Sequence, residues 1–531
     1  MTGLTGPAPE RAQRRLDGLL TRAALTHPER LALVDGDRAW TYAELNAAAG
    51  TMAAELAAHG VEPGDRIGVF IPKSLEAVLA IHAALRAGAV VAPLDPRTPT
   101  ARTRRMVRQA GLTALLTTAS SRAGAVEAVS GAADAHTEAL AHGLGLLRVA
   151  DGVPAGPLPK AARAGGYVLF TSGSTGTPKG VLLSHANVTH FAEWAAAELG
   201  LRPTDRIGSQ AALTFDLSTF DLFSAAAVGA CTVLMPERIK AFPADVVDWL
   251  HAQRISVLYA VPSLYVGLLE RGGIAKTSLD ALRVLLYAGE PFPPAALESY
   301  LRIAGDRPVY NLYGPTETNV CTYLRVPRSW TAAQQAAVGR AVPGDTVEVF
   351  DEHGRPTSGQ GEIHVAGATV FLGYLQDGAL VDPTRRVRFR DGVVRRAYPT
   401  GDLGRRTADG EFVLLGRKDS QIKRHGYRID PGEIESLLLD APGVGAVAVV
   451  AKSGAYEGEL WAYVEGTLPE REVLALLRTQ LPLYMVPDRV VAVPALPLND
   501  RGKTDRPALA ARPAADLPQP IANFPPLKET G

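Results

Sequence analysis

The stretch Tyr167–Val181 constrains the fold more than any other part of the chain. Its apolar start, Tyr167–Phe170, predicts a buried strand, and a second strand-like run begins at Val181. Between them lies a loop rich in Gly, Ser and Thr that also contains Lys179. Glycines let consecutive backbone N–H groups face one concavity, and the hydroxyls and the lysine add donors, which suits a polyphosphate. The spacing does not fit a Walker A motif, and a solvated hairpin is the alternative interpretation.

Length and composition limit the class of protein. A chain of 531 residues exceeds what one hydrophobic core supports, so two or more folding units are expected. The 55 basic and 55 acidic residues give zero net charge, which favours neither nucleic acid nor an anionic membrane as partner. The two cysteines provide no disulfide framework and no metal-ligand spacing, and the sequence shows no export segment or membrane span. These features predict a cytoplasmic protein.

The order of segments predicts the domain organisation. Strand-like and helical patterns alternate through the N-terminal half, which indicates an α/β fold of parallel-type sheets covered by helices. Short strands between Gly and Pro turns beyond Val338 predict a β subdomain, and an N-cap at Asp430 followed by Pro431 opens the helical part of a small α+β unit. The Ala-, Gly- and Ser-rich segment 119–156 is expected to lie loosely at the surface. The predicted domains are a large N-terminal core (1–418), a small mobile C-terminal domain (419–513) and a disordered tail (514–531).

A series of short motifs occurs in a fixed order along the chain. Its members are Thr171–Gly180, Phe215–Ser218, Ala288–Pro291, Tyr313–Thr318, Tyr398–Leu403, Gly416–Lys423 and Asn499–Lys503. The series resembles the adenylate-forming enzymes, and within them the amino-acid adenylation domains of nonribosomal peptide synthesis. The resemblance covers most of the chain, from about residue 15 to 512.

The resemblance implies a reaction in which a substrate carboxylate attacks the α-phosphorus of ATP and pyrophosphate leaves, so that catalysis depends on positioning and electrostatics. ATP and Mg²⁺ are the implied cofactors, with Glu317 as the metal ligand. Tyr313 would stack on adenine and Asp402 would accept the ribose hydroxyls. The full set implied for the nucleotide is Thr171, Ser172, Gly173, Ser174, Thr175, Gly176, Thr177, Lys179, Gly289, Glu290, Pro291, Asn311, Tyr313, Gly314, Thr316, Asp402, Arg417 and Lys423.

Lys503 is the implied catalytic residue, because a flexible ammonium can neutralise charge on both the substrate carboxylate and the α-phosphate. In the resembled family the small C-terminal domain rotates between two half-reactions, with its hinge at the position of Asp419. One orientation delivers Lys503, and the other presents the loop around Gly426 so that a phosphopantetheine thiol enters. Without the other motifs, a lysine in such a loop would be read as a solvated side chain.

The family's substrate pocket transfers to a set of mostly apolar residues. They are Asp216, Leu217, Phe220, Leu264, Leu286, Ala288, Leu312, Val320 and Cys321, with Lys503 completing the set. Asp216 is the one anion, and a buried carboxylate needs a cationic partner; in this family an aspartate here binds the α-ammonium of an amino acid. The other side chains favour a small or medium apolar amino acid. Taken singly, each leucine is more simply explained as a core residue.

The pocket set is similar to that of the free-standing proline-activating members of the family, which load L-proline onto a carrier protein before its oxidation to a pyrrole. We therefore predict formation of prolyl-AMP and transfer to the phosphopantetheine thiol of a separate carrier protein, since no serine follows Lys503 to bear a pantetheine arm. Three alternatives stay open: a ligase for alanine or a β-amino acid, an acyl-CoA ligase, and a nucleotide-binding module without turnover.

Overall fold

The computed structural model describes residues 15–129, 137–149, 155–173, 177–453, 456, 458–466, 468–499 and 503–513. The chain divides into two compact units: the larger comprises the chain up to Thr171 and Pro178–Arg428, and the smaller comprises Ser172–Thr177 and the chain from Ile429. The domain boundary predicted after Lys418 therefore falls inside the larger unit. Predictions that lie outside the described residues concern Ser174, Thr175, Gly176 and the tail 514–531.

Strands and helices alternate before residue 309, and strands predominate after it as far as Ile429. The strands up to this point are β1 (Leu31–Asp35), β2 (Arg38–Thr41), β3 (Arg66–Phe70), β4 (Val90–Leu94), β5 (Ala114–Thr118), β6 (Thr137–Ala139), β7 (Leu144–Arg148), β8 (Gly166–Thr171), β9 (Lys179–Ser184), β10 (Arg206–Ser209), β11 (Cys231–Leu234), β12 (Val257–Ala260), β13 (Val284–Tyr287), β14 (Val309–Tyr313), β15 (Thr322–Arg325), β16 (Arg340–Ala341), β17 (Asp345–Phe350), β18 (Gly361–Gly367), β19 (Gly373–Gln376), β20 (Ala379–Val381), β21 (Arg385–Arg388), β22 (Val394–Arg406), β23 (Phe412–Arg417), β24 (Ile422–Arg424) and β25 (Tyr427–Ile429). The helices are α1 (Leu16–Thr26), α2 (Tyr42–Ala58), α3 (Leu75–Arg86), α4 (Thr100–Ala110), α5 (Arg122–Val129), α6 (His185–Glu198), α7 (Leu217–Thr219), α8 (Ala225–Val228), α9 (Pro243–Ala252), α10 (Pro262–Glu270) and α11 (Pro294–Ala304).

Two large sheets form the core of the larger unit. Over the described residues each has nine strands, in the orders β16-β15-β14-β13-β12-β10-β11-β1-β2 and β20-β19-β9-β8-β4-β3-β5-β7-β6. Central neighbours such as β3 and β4, or β12 and β13, are parallel, whereas the outer strands pair antiparallel. The whole of Val90–Leu94 is buried, which explains why its sequence is continuously apolar and not alternating.

The glycine-rich loop joins β8 to β9, which pair antiparallel with Thr171 opposite Lys179. No helix directly follows the loop, as predicted. At the far end of the hairpin, the Ser184 hydroxyl accepts the Asn187 N–H and the Asn187 side chain accepts the Ser184 N–H, so that α6 begins at a capping box. The strands on each side of the loop are therefore fixed by their pairing and by the cap of α6.

The prediction of a loose segment at residues 119–156 is wrong for its described parts. This segment contains α5, β6 and β7, and β7 pairs antiparallel with β5 with Leu144, Leu146 and Leu147 buried. Gly145 interrupts the apolar run. A Cβ at this position would lie 2.6 Å from the Thr137 methyl, so the close approach of β6 favours glycine. The pairing comes from tertiary contacts that the local composition does not encode.

A smaller sheet, with the order β17-β18-β22-β21 and β23 paired to β22, follows within the larger unit. The smaller unit packs a sheet of β26 (Val444–Ala451), β27 (Leu460–Gly466) and β28 (Arg489–Val493) with α12 (Pro431–Leu439), α13 (Glu470–Gln480) and α14 (Arg506–Ala511). As predicted, Asp430 caps α12, and its Oδ1 accepts the Gly432 N–H at 3.0 Å. The predicted fold class is confirmed: sheets and helices form the larger unit, and a small α+β unit follows it.

Candidate functional site

Asp216 lies immediately before α7, in the segment that follows β10. Its Oδ2 accepts a hydrogen bond from the Thr316 hydroxyl at 2.8 Å. The residue is partly buried, and burial raises the pKa of its carboxyl to about 6, although the Thr316 hydrogen bond opposes the shift. No cationic side chain forms an ion pair with this carboxylate within the described ranges. Asp216 is thus a carboxylate that is hydrogen-bonded to a hydroxyl, and the charge of Lys423 acts on it without forming an ion pair.

A π-helical turn, Phe220–Ser224, continues directly from α7. Such turns concentrate at functional sites, because the extra residue changes the direction of the side chains. The Phe220 ring meets the Tyr259 ring at 5.4 Å and an angle of 81°. Phe220 packs in a buried group of side chains with Leu217, Leu286, Ala288, Leu312 and Val320, and Leu264 packs against this group. We call this group the apolar cluster. The structure therefore brings together most of the predicted substrate residues.

Cys321 does not join the apolar cluster. Its side chain is fully buried in a different part of the core, which it shares with Tyr313 and Val338. The Cys321 thiol lies 3.5 Å from the Tyr313 carbonyl oxygen, and burial raises the pKa of the thiol. Cys321 thus packs with Tyr313, and it is not a member of the apolar cluster that holds most of the predicted substrate residues.

A second group of predicted residues surrounds Tyr313 at the end of β14. The Tyr313 hydroxyl donates to Asp402 Oδ2 at 2.7 Å, and Asp402 Oδ1 accepts from Arg417 Nη1 at 2.5 Å. Arg417 also forms an ion pair with Asp419 at 2.6 Å. The Lys423 ammonium lies 5.7 Å from the centre of the Tyr313 ring, and burial lowers the pKa of Lys423. We call this charged, aromatic group the polar cluster.

Glu317 is almost completely buried. Its Oε1 accepts the Tyr374 hydroxyl at 2.5 Å, and Arg428 Nη1 donates to both carboxylate oxygens at 3.2 and 3.0 Å. Burial raises the pKa of Glu317, but the Arg428 charge and the Tyr374 hydrogen bond outweigh burial and hold the pKa below its ordinary value. Glu317 is therefore ionised and paired.

Lys179, which follows the glycine-rich loop and belongs to the larger unit, lies near Glu317. The Lys179 ammonium is 5.4 Å from the centre of the Tyr374 ring, whose hydroxyl binds the Glu317 carboxylate. Thr171, Ser172 and Gly173 are buried and Thr177 is half-buried. Lys179 near the Tyr374 ring could bind a phosphate, and the Glu317 carboxylate at the Tyr374 hydroxyl could bind its counter-ion.

Asn311 and Gly314 serve the backbone around Tyr313. The Asn311 side-chain amide donates to the Ala337 carbonyl at 2.8 Å. A Cβ on Gly314 would lie 2.1 Å from the Asn319 carbonyl oxygen, so that only glycine fits there. The structure thus gives these two predicted nucleotide residues a supporting role in the turn after β14.

The turn Gly289–Pro291 follows β13. Gly289 has a φ of +89°, and Pro291 is exposed. The two carboxylate oxygens of Glu290 accept backbone N–H groups from Ser263 at 3.0 Å and from Gly426 at 2.7 Å. Glu290, predicted to line the adenine edge, thus joins two distant backbone segments.

Lys503 belongs to the smaller unit and is exposed. Its backbone N–H donates to Asn499 Oδ1 at 3.1 Å, and its carbonyl accepts the Asn499 N–H at 2.7 Å. These bonds join Asn499 to Lys503, which is exposed. The intervening predicted motif residues, 500–502, lie outside the described ranges.

The family models agree with this arrangement. The AMP-binding enzyme model matches residues 20–375, and the model of the AMP-binding enzyme C-terminal domain matches residues 433–503. The chain belongs to the AMP-binding enzyme family. The resemblance predicted from the motif series is confirmed.

The relatives of this AMP-binding enzyme include two curated ligases and a solved structure. An L-proline--[L-prolyl-carrier protein] ligase from Pseudomonas fluorescens is 35% identical over 91% of this chain and 96% of the relative. A ligase of the same name from Streptomyces coelicolor is 36% identical over 92% of this chain and 96% of its own length. The structure of holo-PA1221, a nonribosomal peptide synthetase protein with adenylation and PCP domains, has a TM-score of 0.76 at 26% identity and covers 94% of this chain and 84% of that one.

Sequence reasoning missed three residues of the site of this AMP-binding enzyme. Arg428, Tyr374 and Tyr398 surround Glu317, and the two tyrosine hydroxyls lie 3.0 Å apart. Tyr398 opens a motif that the sequence identified, and Arg428 follows the Gly426 loop by two positions. These positions in the sequence do not predict a contact with Glu317, because the contact forms only when segments that are distant in the chain fold together.

Two features do not occur among the described residues. No helix among them combines the length and apolarity required to cross a membrane. No group of three or more His, Cys, Asp or Glu side chains suited to a metal ion occurs among them. A single buried carboxylate such as Glu317 still fits Mg²⁺, which proteins commonly bind through one or two carboxylates together with substrate phosphates.

Proposed function

We propose that this AMP-binding enzyme is an ATP-dependent ligase that activates L-proline as prolyl-AMP and transfers the prolyl group to the phosphopantetheine thiol of a separate carrier protein. The observation that carries the proposal is the Asp216 carboxylate, which borders the apolar cluster without a cationic partner among the described residues. Its raised pKa reports an unfavourable environment for negative charge. An ammonium ligand would relieve that environment.

The apolar cluster favours proline over a polar substrate. Leu217 and Phe220 follow Asp216 closely, so a ring held by its nitrogen at Asp216 would face aliphatic and aromatic carbon. The members of the apolar cluster provide no charged group for a polar substrate side chain, and unpaired polar groups are costly to bury. The names of the two curated relatives, both proline ligases, support the same substrate. The carrier protein follows from those names and from the paired domains of holo-PA1221.

The polar cluster would hold the nucleotide. Asp402 has accepting oxygens for ribose hydroxyls, and Tyr313 offers an aromatic face beside it. Lys179 would pair with phosphate oxygens, and Glu317 would hold Mg²⁺, which neutralises phosphate charge when bound. Because Arg428 binds both Glu317 oxygens, the guanidinium would have to move for a metal to bind there.

The first half-reaction forms one bond and breaks one. A carboxylate oxygen of proline bonds to the α-phosphorus of ATP, the bond from that phosphorus to the bridging oxygen breaks, and pyrophosphate leaves. Lys503 is the residue of the chain that would neutralise the charge on the carboxylate and the α-phosphate. We propose that the chain after Asp419, which comprises the Gly426 hairpin and the part of the smaller unit from Ile429, pivots at Asp419 to deliver Lys503 in one orientation and the hairpin in the other.

Pyrophosphate exchange dependent on each of the standard amino acids tests the proposal. Strong exchange with proline is expected, whereas exchange with alanine or a β-amino acid and none with proline would refute the substrate. Lys503→Ala should lower exchange with proline about 10³-fold, since it removes transition-state charge stabilisation. Lys503→Arg is the charge-retaining control. Undiminished exchange by Lys503→Ala, or ATP binding by the wild type without turnover, would favour a nucleotide-binding module.

A further inference from the structure

The Glu290 carboxylate joins two segments that are distant in sequence. One oxygen accepts the N–H of Ser263, the second residue of α10, and the other accepts the N–H of Gly426 at the tip of the β24–β25 hairpin. Both bonds lie within the larger unit. A carboxylate that accepts two backbone N–H groups holds both in place, because charge-assisted bonds are stronger than neutral ones. The arrangement therefore fixes the hairpin tip relative to α10.

The hairpin tip fits tightly where Glu290 holds it. His425 and Gly426 form its two-residue turn with φ values of +50° and +79°, the pattern of a type I′ turn. A Cβ on Gly426 would lie 2.4 Å from the Val261 side chain and 3.2 Å from the Phe215 ring. Only glycine satisfies both the left-handed backbone and the close approach.

The seat of the hairpin tip borders the proposed proline site. Val261 belongs to the apolar cluster, Phe215 packs against it, and Phe215 directly precedes Asp216. The Tyr427 ring lies 5.5 Å from the Phe215 ring, so Gly426 and the residue after it both lie against Phe215. The bond to Glu290 thus holds the tip beside the residues that would bind the amino acid.

We propose that Glu290 is a positioning residue that seats the Gly426 hairpin tip beside the amino-acid site for thioester formation. The inference rests on the proposed function and deepens it. In that step the thiol sulfur bonds to the carbonyl carbon of prolyl-AMP, the bond from that carbon to the AMP oxygen breaks, AMP leaves, and the thiol proton passes to solvent. The step requires an ordered approach to the carbonyl carbon, which a displaced hairpin tip would not provide.

The test compares both half-reactions in Glu290→Ala and Glu290→Gln. The first readout is proline-dependent pyrophosphate exchange, and the second is single-turnover transfer of labelled proline from preformed enzyme-bound prolyl-AMP to free pantetheine. We expect the transfer rate of Glu290→Ala to fall about tenfold more than exchange. Glu290→Gln, which keeps one accepting oxygen, should lie between Glu290→Ala and the wild type. Glu298→Ala is the matched control, since Glu298 also accepts a backbone N–H, from Ala332 at 3.1 Å, but away from the hairpin.

Gly426→Ala provides a second route to the same displacement, because its Cβ would strike Val261. It should show the same selective loss of transfer. The double variant with Glu290→Ala should lose no more than the more impaired single variant, since both changes act on one seat. If thermal melting shows that Glu290→Ala is misfolded, Glu290→Gln and Gly426→Ala still test whether the seat of the hairpin tip affects transfer selectively.

Equal losses in exchange and transfer would overturn the inference and return Glu290 to the adenine edge. Additive losses in the double variant would also overturn it. Either result would leave the proposed function standing, because the wild type would still exchange pyrophosphate with proline. Absence of that exchange in the wild type would instead refute the proposed function itself.

Discussion

One carboxylate borders the apolar cluster and another belongs to the polar cluster, and the two have different partners. Asp216 has a hydroxyl neighbour and a raised pKa, whereas Asp402 is paired with Arg417. Near the polar cluster, Glu317 is paired with Arg428 and has a lowered pKa. Asp402 and Glu317 each have a guanidinium partner, and Asp216 has none among the described residues. The Asp216 carboxylate is therefore available to a cationic ligand. The difference supports the proposal that Asp216 binds the ammonium of the substrate.

The comparison also separates affinity from stability. An ion-paired buried carboxylate supports the fold, because its removal or that of its partner leaves a charge uncompensated. A carboxylate held without a cation costs the unliganded fold free energy, and that cost is relieved when an ammonium binds. The three predictions below follow from this contrast.

The largest effect is expected for Asp216→Ala. It should lower kcat/KM for proline in pyrophosphate exchange about 10³-fold, or about 4 kcal/mol, because the ammonium loses its counter-charge. Thr316→Val is the matched control, since it removes only the hydroxyl neighbour at 2.8 Å and should cost about tenfold or less. Full activity of Asp216→Ala would show that the amino group is bound elsewhere and would break the comparison.

The next effect concerns the paired carboxylate. Arg428→Gln should destabilise the unliganded protein by about 3 kcal/mol, because Glu317 would be left buried without its cation. The shift of the thermal unfolding midpoint measures it. The double variant Glu317→Gln with Arg428→Gln should recover part of the loss. A thermal unfolding midpoint unchanged by Arg428→Gln would show that the ion pair between Arg428 and Glu317 does not stabilise the fold.

The smallest effect is a gain in stability for Asp216→Asn. Because the folded pKa of Asp216 lies near 6, above its ordinary value of 3.8, folding is favoured below pH 3.8 and this advantage is lost as pH rises through 6. The variant should therefore be more stable than the wild type by about 2 kcal/mol at pH 7.5 and nearly equal to it close to pH 4. Unfolding midpoints measured across this range without ligand provide the test. A gain that persisted unchanged at pH 4 would not come from the titration of Asp216.

Sequence reasoning predicted the strands on each side of the glycine-rich loop and the cap of α12 from local patterns. It also selected the members of the apolar cluster, because motif order carries information that single residues do not. It failed for β7, whose partner strand is set by tertiary pairing. It also placed Cys321 in the substrate set, whereas the Cys321 side chain packs in the part of the core that holds Tyr313 and Val338.

The sequence by itself determined the family, the alternation of strands and helices, and the presence of a carboxylate among apolar residues, because these depend on residue identity and order. Only the tertiary structure decided which charges meet. Arg428 reached Glu317, Arg417 reached Asp402, and Glu290 reached the N–H of Gly426, through contacts between segments far apart in the chain. Electrostatic energy depends on distance and burial, and a linear order of residues specifies neither of them.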